Sequence, residues 1–320
     1  RLEEIWNYEK IGTPFKEGDY TYFYKNDGLQ NQSVLYRKKG DEKEEVFINP
    51  NNFSKDGTVS LRGLSFTEDG SLLAYSISEG GSDWRKVIIM ETKTKKIIED
   101  TLLDIKFSGI SWNGNEGFYY SSYEKPKKSI LSDKTDHHKL YYHKLGTKQN
   151  NDKVIFGNQQ NEKYRYVRGY MTKDQKYLII SVANETSGNN LFIKNQNDKN
   201  SALVQITNNF ESNSYILHNI DSKLYIVTNL NAPNKRVVTT DANEPQPNNW
   251  KDFIKETDNV LNISKGGGYF FAQYFVQATS KIKQYKYDGT FIRDVKLKNQ
   301  GNVSGFGGKE EEKNIYYNFS

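Results

Sequence analysis

Short apolar segments with period-two alternation recur along the chain, set apart by polar turns rich in Gly, Asp and Asn. One layout repeats. Leu64-Ser65-Phe66 leads into the turn Glu68-Asp69-Gly70, and Leu72-Leu73-Ala74-Tyr75-Ser76 follows. Lys86-Val87-Ile88-Ile89-Met90 and Lys96-Ile97-Ile98 then read as a third and a fourth strand. A second copy runs through Ile110-Ser111-Trp112, Phe118-Tyr119-Tyr120-Ser121-Ser122, Leu140-Tyr141-Tyr142-His143 and Val154-Ile155-Phe156. A third has Tyr170-Met171-Thr172, Tyr177-Leu178-Ile179-Ile180-Ser181, Leu191-Phe192-Ile193 and Leu203-Val204. The fourth and fifth centre on Leu224-Tyr225-Ile226-Val227 and Tyr269-Phe270-Phe271-Ala272.

The second strands recur about every 46 residues, with one longer step caused by an insertion near residues 125–137. Four strands per repeat of roughly 40–50 residues predict an all-β, seven-bladed β-propeller with four-stranded antiparallel blades. Reaching seven requires counting two partial repeats, residues 18–48 and 303–320, so an open, unlatched ring with an incomplete terminal blade is expected. Residues 1–320 read as a single propeller domain. Helix is expected only over residues 2–9 and 250–256.

Composition supports a sheet protein with thin cores. There are 23 Tyr and 17 Phe, and hydrophobic residues make up 35%; the mean hydropathy is −0.85. Tyrosine, with an apolar ring and a polar tip, suits a half-buried pleated surface. The 45 basic and 40 acidic residues leave a net charge of +5 that is spread along the chain. Runs such as Lys93-Thr94-Lys95-Lys96 and Lys125-Pro126-Lys127-Lys128 are too short for a nucleic-acid footprint and read better as lysines protecting strand edges. With no cysteine, disulfides and thiolate metal sites are excluded, and periplasm and cytoplasm stay equally open. No apolar run reaches the roughly 18 residues of a membrane span. The first residue is Arg1 rather than Met, so a longer precursor is expected.

Candidate chemistry is sparse. The nearest approach to a Gly-x-Ser-x-Gly nucleophile turn is Gly80-Gly81-Ser82-Asp83-Trp84, which lacks the second glycine and falls between two strands. A loop serine bonding its own backbone accounts for it better. His137 and His138 are adjacent and would face opposite ways on a strand, so no metal site is expected, and no cofactor. Gly266-Gly267-Gly268 and Gly305-Phe306-Gly307-Gly308 read as tight turns or close backbone approaches, since no Gly-Lys-Ser/Thr follows. The residues alone therefore describe a binding or structural propeller.

Particular strings go further. Gly28-Leu29-Gln30-Asn31-Gln32-Ser33-Val34-Leu35-Tyr36, Phe47-Ile48-Asn49-Pro50 and Asp56-Gly57-Thr58-Val59-Ser60-Leu61 come first. Tyr75-Ser76-Ile77-Ser78-Glu79-Gly80-Gly81-Ser82-Asp83-Trp84, Ile105-Lys106-Phe107-Ser108, His137-His138-Lys139-Leu140-Tyr141-Tyr142-His143 with Leu145-Gly146-Thr147, and Asn231-Ala232-Pro233-Asn234 follow in order. Together they resemble the propeller of the prolyl oligopeptidase family, and among its members the flavobacterial type. The resemblance implies a two-domain serine endopeptidase cleaving short peptides after proline. Its α/β-hydrolase domain carries the catalytic Ser, Asp and His, and the propeller filters substrates by size. Those catalytic residues have no counterparts in this chain, which should be inactive alone, with residues 1–16 as a linker or hinge to the hydrolase domain.

The resemblance also places residues facing the substrate. Phe107 matches the phenylalanine of an apolar subsite on the acyl side of the cut. Tyr166 and Thr186 fall where mammalian members have a methionine and a cysteine of the same pocket. Asp83 matches an acid shaping the cavity's charge, and Ala183 stands where mammalian members have an arginine near that acid. The expected partners are the hydrolase domain and proline-containing peptides. An isolated propeller would expose surfaces otherwise covered, so lower solubility or self-association is expected. A stand-alone peptide- or protein-binding propeller remains the alternative, and a propeller glycosidase ranks below both for want of a strand-borne carboxylate pair.

Overall fold

The computed structural model describes residues 1–124, 135–159 and 162–320. The lysine run at residues 125–128 lies outside the described residues. Turn chemistry explains how the repeats are cut into strands. In the turn after Phe66 the Thr67 hydroxyl donates to Asp69 Oδ1 at 2.7 Å and accepts the Leu72 amide at 3.0 Å, while Asp69 Oδ1 also takes the Ser71 amide. The turn after Met171 repeats the device: the Thr172 hydroxyl donates to Asp174 Oδ1 at 2.6 Å and accepts the Tyr177 amide at 3.0 Å. Short polar side chains thus satisfy the turn's backbone where the ladder cannot. Burial opposes ionisation of Asp69, but the bonds from Ser71, Thr67 and Asn115 outweigh it and hold the carboxyl well below its usual range.

The strands assemble as successive antiparallel sheets. Blade I has Tyr20–Asn26, Val34–Lys39 and Glu45–Ile48, with Phe15–Glu17 and Lys10–Ile11 both pairing to the first of these. Blade II runs Val59–Phe66, Leu72–Glu79, Trp84–Glu91, Leu102–Lys106. Blade III runs Ser111–Asn113, Gly117–Ser122, Lys139–Lys144, Lys153–Phe156. Blade IV has Tyr166–Met171, Tyr177–Ala183, Asn190–Asn195 and Val204–Gln205. Blade V has Ser214–Ile220, Lys223–Thr228, Arg236–Asp241 and Lys251–Ile254. Blade VI has Leu261–Gly266, Tyr269–Val276, Thr279–Lys286 and Phe291–Asp294.

Three expectations need correction. The described residues form six blades, not seven, because Val303–Gly305 and Tyr317–Phe319 pair only with each other as a two-stranded ribbon. The 303–320 segment holds enough strand-forming residues for two strands and no more. Blade II's fourth strand is Leu102–Lys106 rather than residues 96–98. Lys95 takes a left-handed φ of 61°, Ile97 and Ile98 stay exposed, and Leu102 and Ile105 supply the buried pair instead. Residues 250–256 are not helical: Lys251–Ile254 is the outer strand of blade V, since pairing along Arg236–Asp241 overrides local helix propensity. Residues 2–9 do contain a helix, over Leu2–Trp6, with no residue buried.

Contacts divide the chain into two compact units, Arg1–Glu185 with Lys194–Ala202, and Thr186–Ile193 with Leu203–Ser320. In the first, the core lies between blades. Tyr22, Leu35, Phe47 and Ile48 of blade I pack against Leu73 and Met90 of blade II. Val87, Ile89, Leu102 and Ile105 of blade II pack against Trp112, Phe118 and Tyr120 of blade III. In the second, Tyr225, Val237 and Ile254 of blade V meet Leu261, Phe270 and Tyr274 of blade VI, and Phe271 and Ile282 meet Val303 and Phe306 of the ribbon. Within each unit these sheets are thus covered by a neighbour, which explains how a chain this polar forms a core. Among the described residues no helix is long and apolar enough to cross a membrane.

Candidate functional site

Leu102–Lys106 ends with Lys106 paired to Trp84 across the sheet, and the chain then leaves blade II at Phe107. Phe107 has φ +54°. A left-handed backbone is unfavourable for a bulky side chain by roughly 1–3 kcal/mol, so it persists only where its surroundings hold it. They do. The Lys106 amide donates to Ser122 Oγ at 3.2 Å, and that hydroxyl donates to the Asp104 carbonyl at 2.6 Å. Ser108 Oγ accepts the Ser121 amide at 2.7 Å, and the Lys106 carbonyl accepts from His138 Nε2 at 2.9 Å.

The result is a partly exposed aromatic cluster. Phe107 is 36% exposed, and its ring centroid lies 5.9 Å from that of Tyr166 and 6.2 Å from that of Tyr123. Two cations flank the rings. Lys106 Nζ lies 5.2 Å from the ring centres of both Trp84 and Phe107, and the Arg165 guanidinium carbon is 5.6 Å from the Tyr166 ring. The Tyr123 hydroxyl donates to the Arg165 carbonyl at 2.5 Å. Burial, aided by Tyr166 and opposed by Arg165, pushes this phenol up to about 12, so it remains a donor at neutral pH.

The predicted site residues are placed as follows. Phe107 and Tyr166 are in contact. Ala183, the last residue of Tyr177–Ala183, is the register partner of Tyr166. Asp83 is exposed in the bend just before Trp84, one residue beyond the Trp84–Lys106 pair, as Phe107 is on the other strand. Thr186 lies in an exposed bend of the second compact unit. Lys106, Tyr123, His138 and Arg165 were not singled out from sequence for this cluster. As half of the adjacent His137–His138 pair, His138 carries no sequence sign of this role, and Tyr123 is marked only as an aromatic just after Gly117–Ser122.

The cluster offers an apolar, π-rich surface bordered by positive charge, suited to packing an apolar side chain. Its histidine is not placed for acid–base work. His138 is fully buried, both its ring nitrogens bond backbone, and burial, with Arg168 nearby, lowers its pKa to about 4. Ser82, the nucleophile look-alike, sits between Leu72–Glu79 and Trp84–Glu91, and its Oγ accepts the Trp84 amide at 3.1 Å. Among the described residues no group of three His, Cys, Asp or Glu side chains is placed to hold a metal ion.

The family described as prolyl oligopeptidase, N-terminal beta-propeller domain, matches residues 1–320. The chain is 54% identical over its full length to a prolyl endopeptidase of Elizabethkingia miricola, covering 45% of that protein. It is 28% identical to a prolyl endopeptidase of Dictyostelium discoideum, covering 50% of it. Among solved structures, prolyl oligopeptidase B of Galerina marginata, bound to a 35mer hydrolysis and macrocyclization substrate, superposes with a TM-score of 0.87 at 26% identity. That match covers 98% of this chain and 47% of the other. The chain thus spans about half the length of the relatives it matches, and it belongs to the N-terminal β-propeller family of the prolyl oligopeptidases.

Proposed function

We propose that residues 1–320 serve as the non-catalytic, substrate-filtering propeller of a serine endopeptidase that cleaves short peptides after proline. The observation carrying this reading is the 54% identity to a prolyl endopeptidase along the whole chain, which covers less than half of that enzyme. The catalytic Ser, Asp and His are supplied by an α/β-hydrolase portion, with residues 1–16 leading toward it. The aromatic pair Phe107 and Tyr166 forms an apolar wall for a substrate residue on the acyl side of the cut, with Ala183 leaving room beside Tyr166. Asp83 contributes negative charge at the same strand end. Peptides of a few dozen residues fall within the range admitted, as with the 35mer bound by the Galerina enzyme.

The test is an assay with a proline-containing chromogenic peptide. The 320-residue chain should give no turnover, and the full-length protein that contains it should cleave after proline in a Ser-dependent way. Turnover by the isolated chain would overturn the non-catalytic assignment. A parent reading frame without hydrolase segments would favour a stand-alone peptide-binding propeller.

A further inference from the structure

We propose that His138, with Tyr123 packed against it, is the positioning residue that sets the gap between Phe107 and Tyr166, and with it the fit of an apolar substrate side chain. The role of that pair rests on the function proposed above. The tether itself is geometric. His138 Nε2 donates to the Lys106 carbonyl at 2.9 Å, and Nδ1 accepts the Val167 amide at 2.9 Å. Lys106 immediately precedes Phe107, and Val167 immediately follows Tyr166. One planar ring therefore joins the end of blade II to the first strand of blade IV, across 32 residues on one side and 29 on the other.

Two more bonds close around Tyr166. The His138 amide donates to the Tyr164 carbonyl at 3.0 Å, and the Tyr123 hydroxyl binds the Arg165 carbonyl. The Tyr123 ring lies 4.3 Å from the imidazole, centre to centre, and packs edge-on against Phe107. Residues 164, 165 and 167 are thus all fixed by His138 and Tyr123, while the Tyr166 ring faces Phe107. The bond pattern requires the neutral tautomer with the proton on Nε2, since a proton on Nδ1 would oppose the Val167 N–H.

Two variants split the tether. His138→Gln can keep a donor for Lys106 but loses the acceptor for Val167; His138→Asn can keep the acceptor and loses the donor. Histidine-selective nitrogen NMR on the 320-residue chain should show His138 neutral and protonated on Nε2 near neutral pH. The Phe107 and Tyr166 ring resonances should shift in both variants. Unchanged ring resonances would overturn the tether whatever the protein's activity. In the full-length protein, both variants should raise KM about tenfold for a peptide with a bulky apolar residue on the acyl side, with kcat nearly unchanged. A matched peptide with glycine there should be insensitive. Adding His138→Gln to Phe107→Ala should cost nothing further, because the two act through one surface. Equal losses on both peptides, or full additivity with Phe107→Ala, would overturn the positioning role. If the His138 variants fail to fold, Tyr123→Phe removes only the Arg165 bond and should move KM the same way, about threefold; no change would count against the proposal. An inactive full-length wild type would reject the proposed function, and the NMR result would then decide the tether alone.

Discussion

His143 Nδ1 donates a 2.8 Å hydrogen bond to Asp152 Oδ1 in the core of blade III, and Nε2 donates to Glu99 at 3.0 Å. Both nitrogens face acceptors, so the ring is held as an imidazolium. Its side chain is 1% exposed, and those of Asp152 and Glu99 are 2% and 9% exposed. Burial by itself would lower the His143 pKa, but the two carboxylates together outweigh it and raise it to about 9.

Because the folded value lies above the ordinary 6.5, this stabilisation is complete below pH 6.5 and is lost as pH rises through 9. The thermal midpoint should therefore fall along that alkaline interval. His143→Gln should remove this part of the slope while costing about 3 kcal/mol at neutral pH, as expected when one member of a buried charge cluster is deleted. An alkaline slope identical in parent and variant would contradict the assignment.

His138 titrates in the opposite direction. It faces the Lys106 carbonyl, the Val167 amide and the Tyr123 ring, with the Arg168 charge nearby. Its folded pKa of about 4 lies below the ordinary 6.5, so stability is complete above pH 6.5 and falls as pH drops toward 4. The full loss is on the order of 3 kcal/mol at about 1.4 kcal/mol per unit. Urea unfolding midpoints across this interval should decline in the parent and flatten in His138→Gln. A variant that keeps the parent's acid limb would show that the carboxylates alone produce it.

These two histidines mark where sequence reading stops. Leu72-Leu73-Ala74-Tyr75-Ser76 is legible as a strand because a short apolar run directly follows the Asp69-Gly70 turn. Ile97-Ile98 was misread because an apolar pair looks alike whether it pairs or merely follows a turn, and Lys95's positive φ decides the matter. Phe107 and Tyr166 were reachable through resemblance, yet nothing at Phe107, a non-glycine, announces its left-handed backbone. The bonds from His138 to Lys106 and Val167 join positions so far apart in sequence that no local pattern encodes them.

Arg37 links blades I and II. Nε donates to Glu45 at 2.6 Å, Nη1 donates to the Thr92 carbonyl, and the guanidinium carbon lies 4.2 Å from the Tyr20 ring and 4.6 Å from that of Phe47. The residue is 2% exposed. Lysine keeps the charge but neither the planar fork nor the stacking. Arg37→Lys should cost about 2 kcal/mol, with the buried Thr92 carbonyl losing its guanidinium donor. A melting temperature equal to the parent's would mean that lysine reaches both acceptors.

Trp112 provides the corresponding link between blades II and III. Its Nε1 donates to the Ser65 carbonyl at 2.9 Å, and the Ser65 hydroxyl returns a bond to the Ile110 carbonyl at 3.0 Å. The ring is 5% exposed and meets Phe118 edge-on at 5.1 Å between centres. Trp112→Phe keeps much of the apolar contact but removes the donor, so a loss of about 1–2 kcal/mol is expected. Trp112→Ala also opens a cavity against Val87, Ile89 and Phe118 and should cost about 3–5 kcal/mol. The ordering separates the two contributions. If phenylalanine proved as damaging as alanine, the bond to Ser65 rather than the packing would hold these blades together.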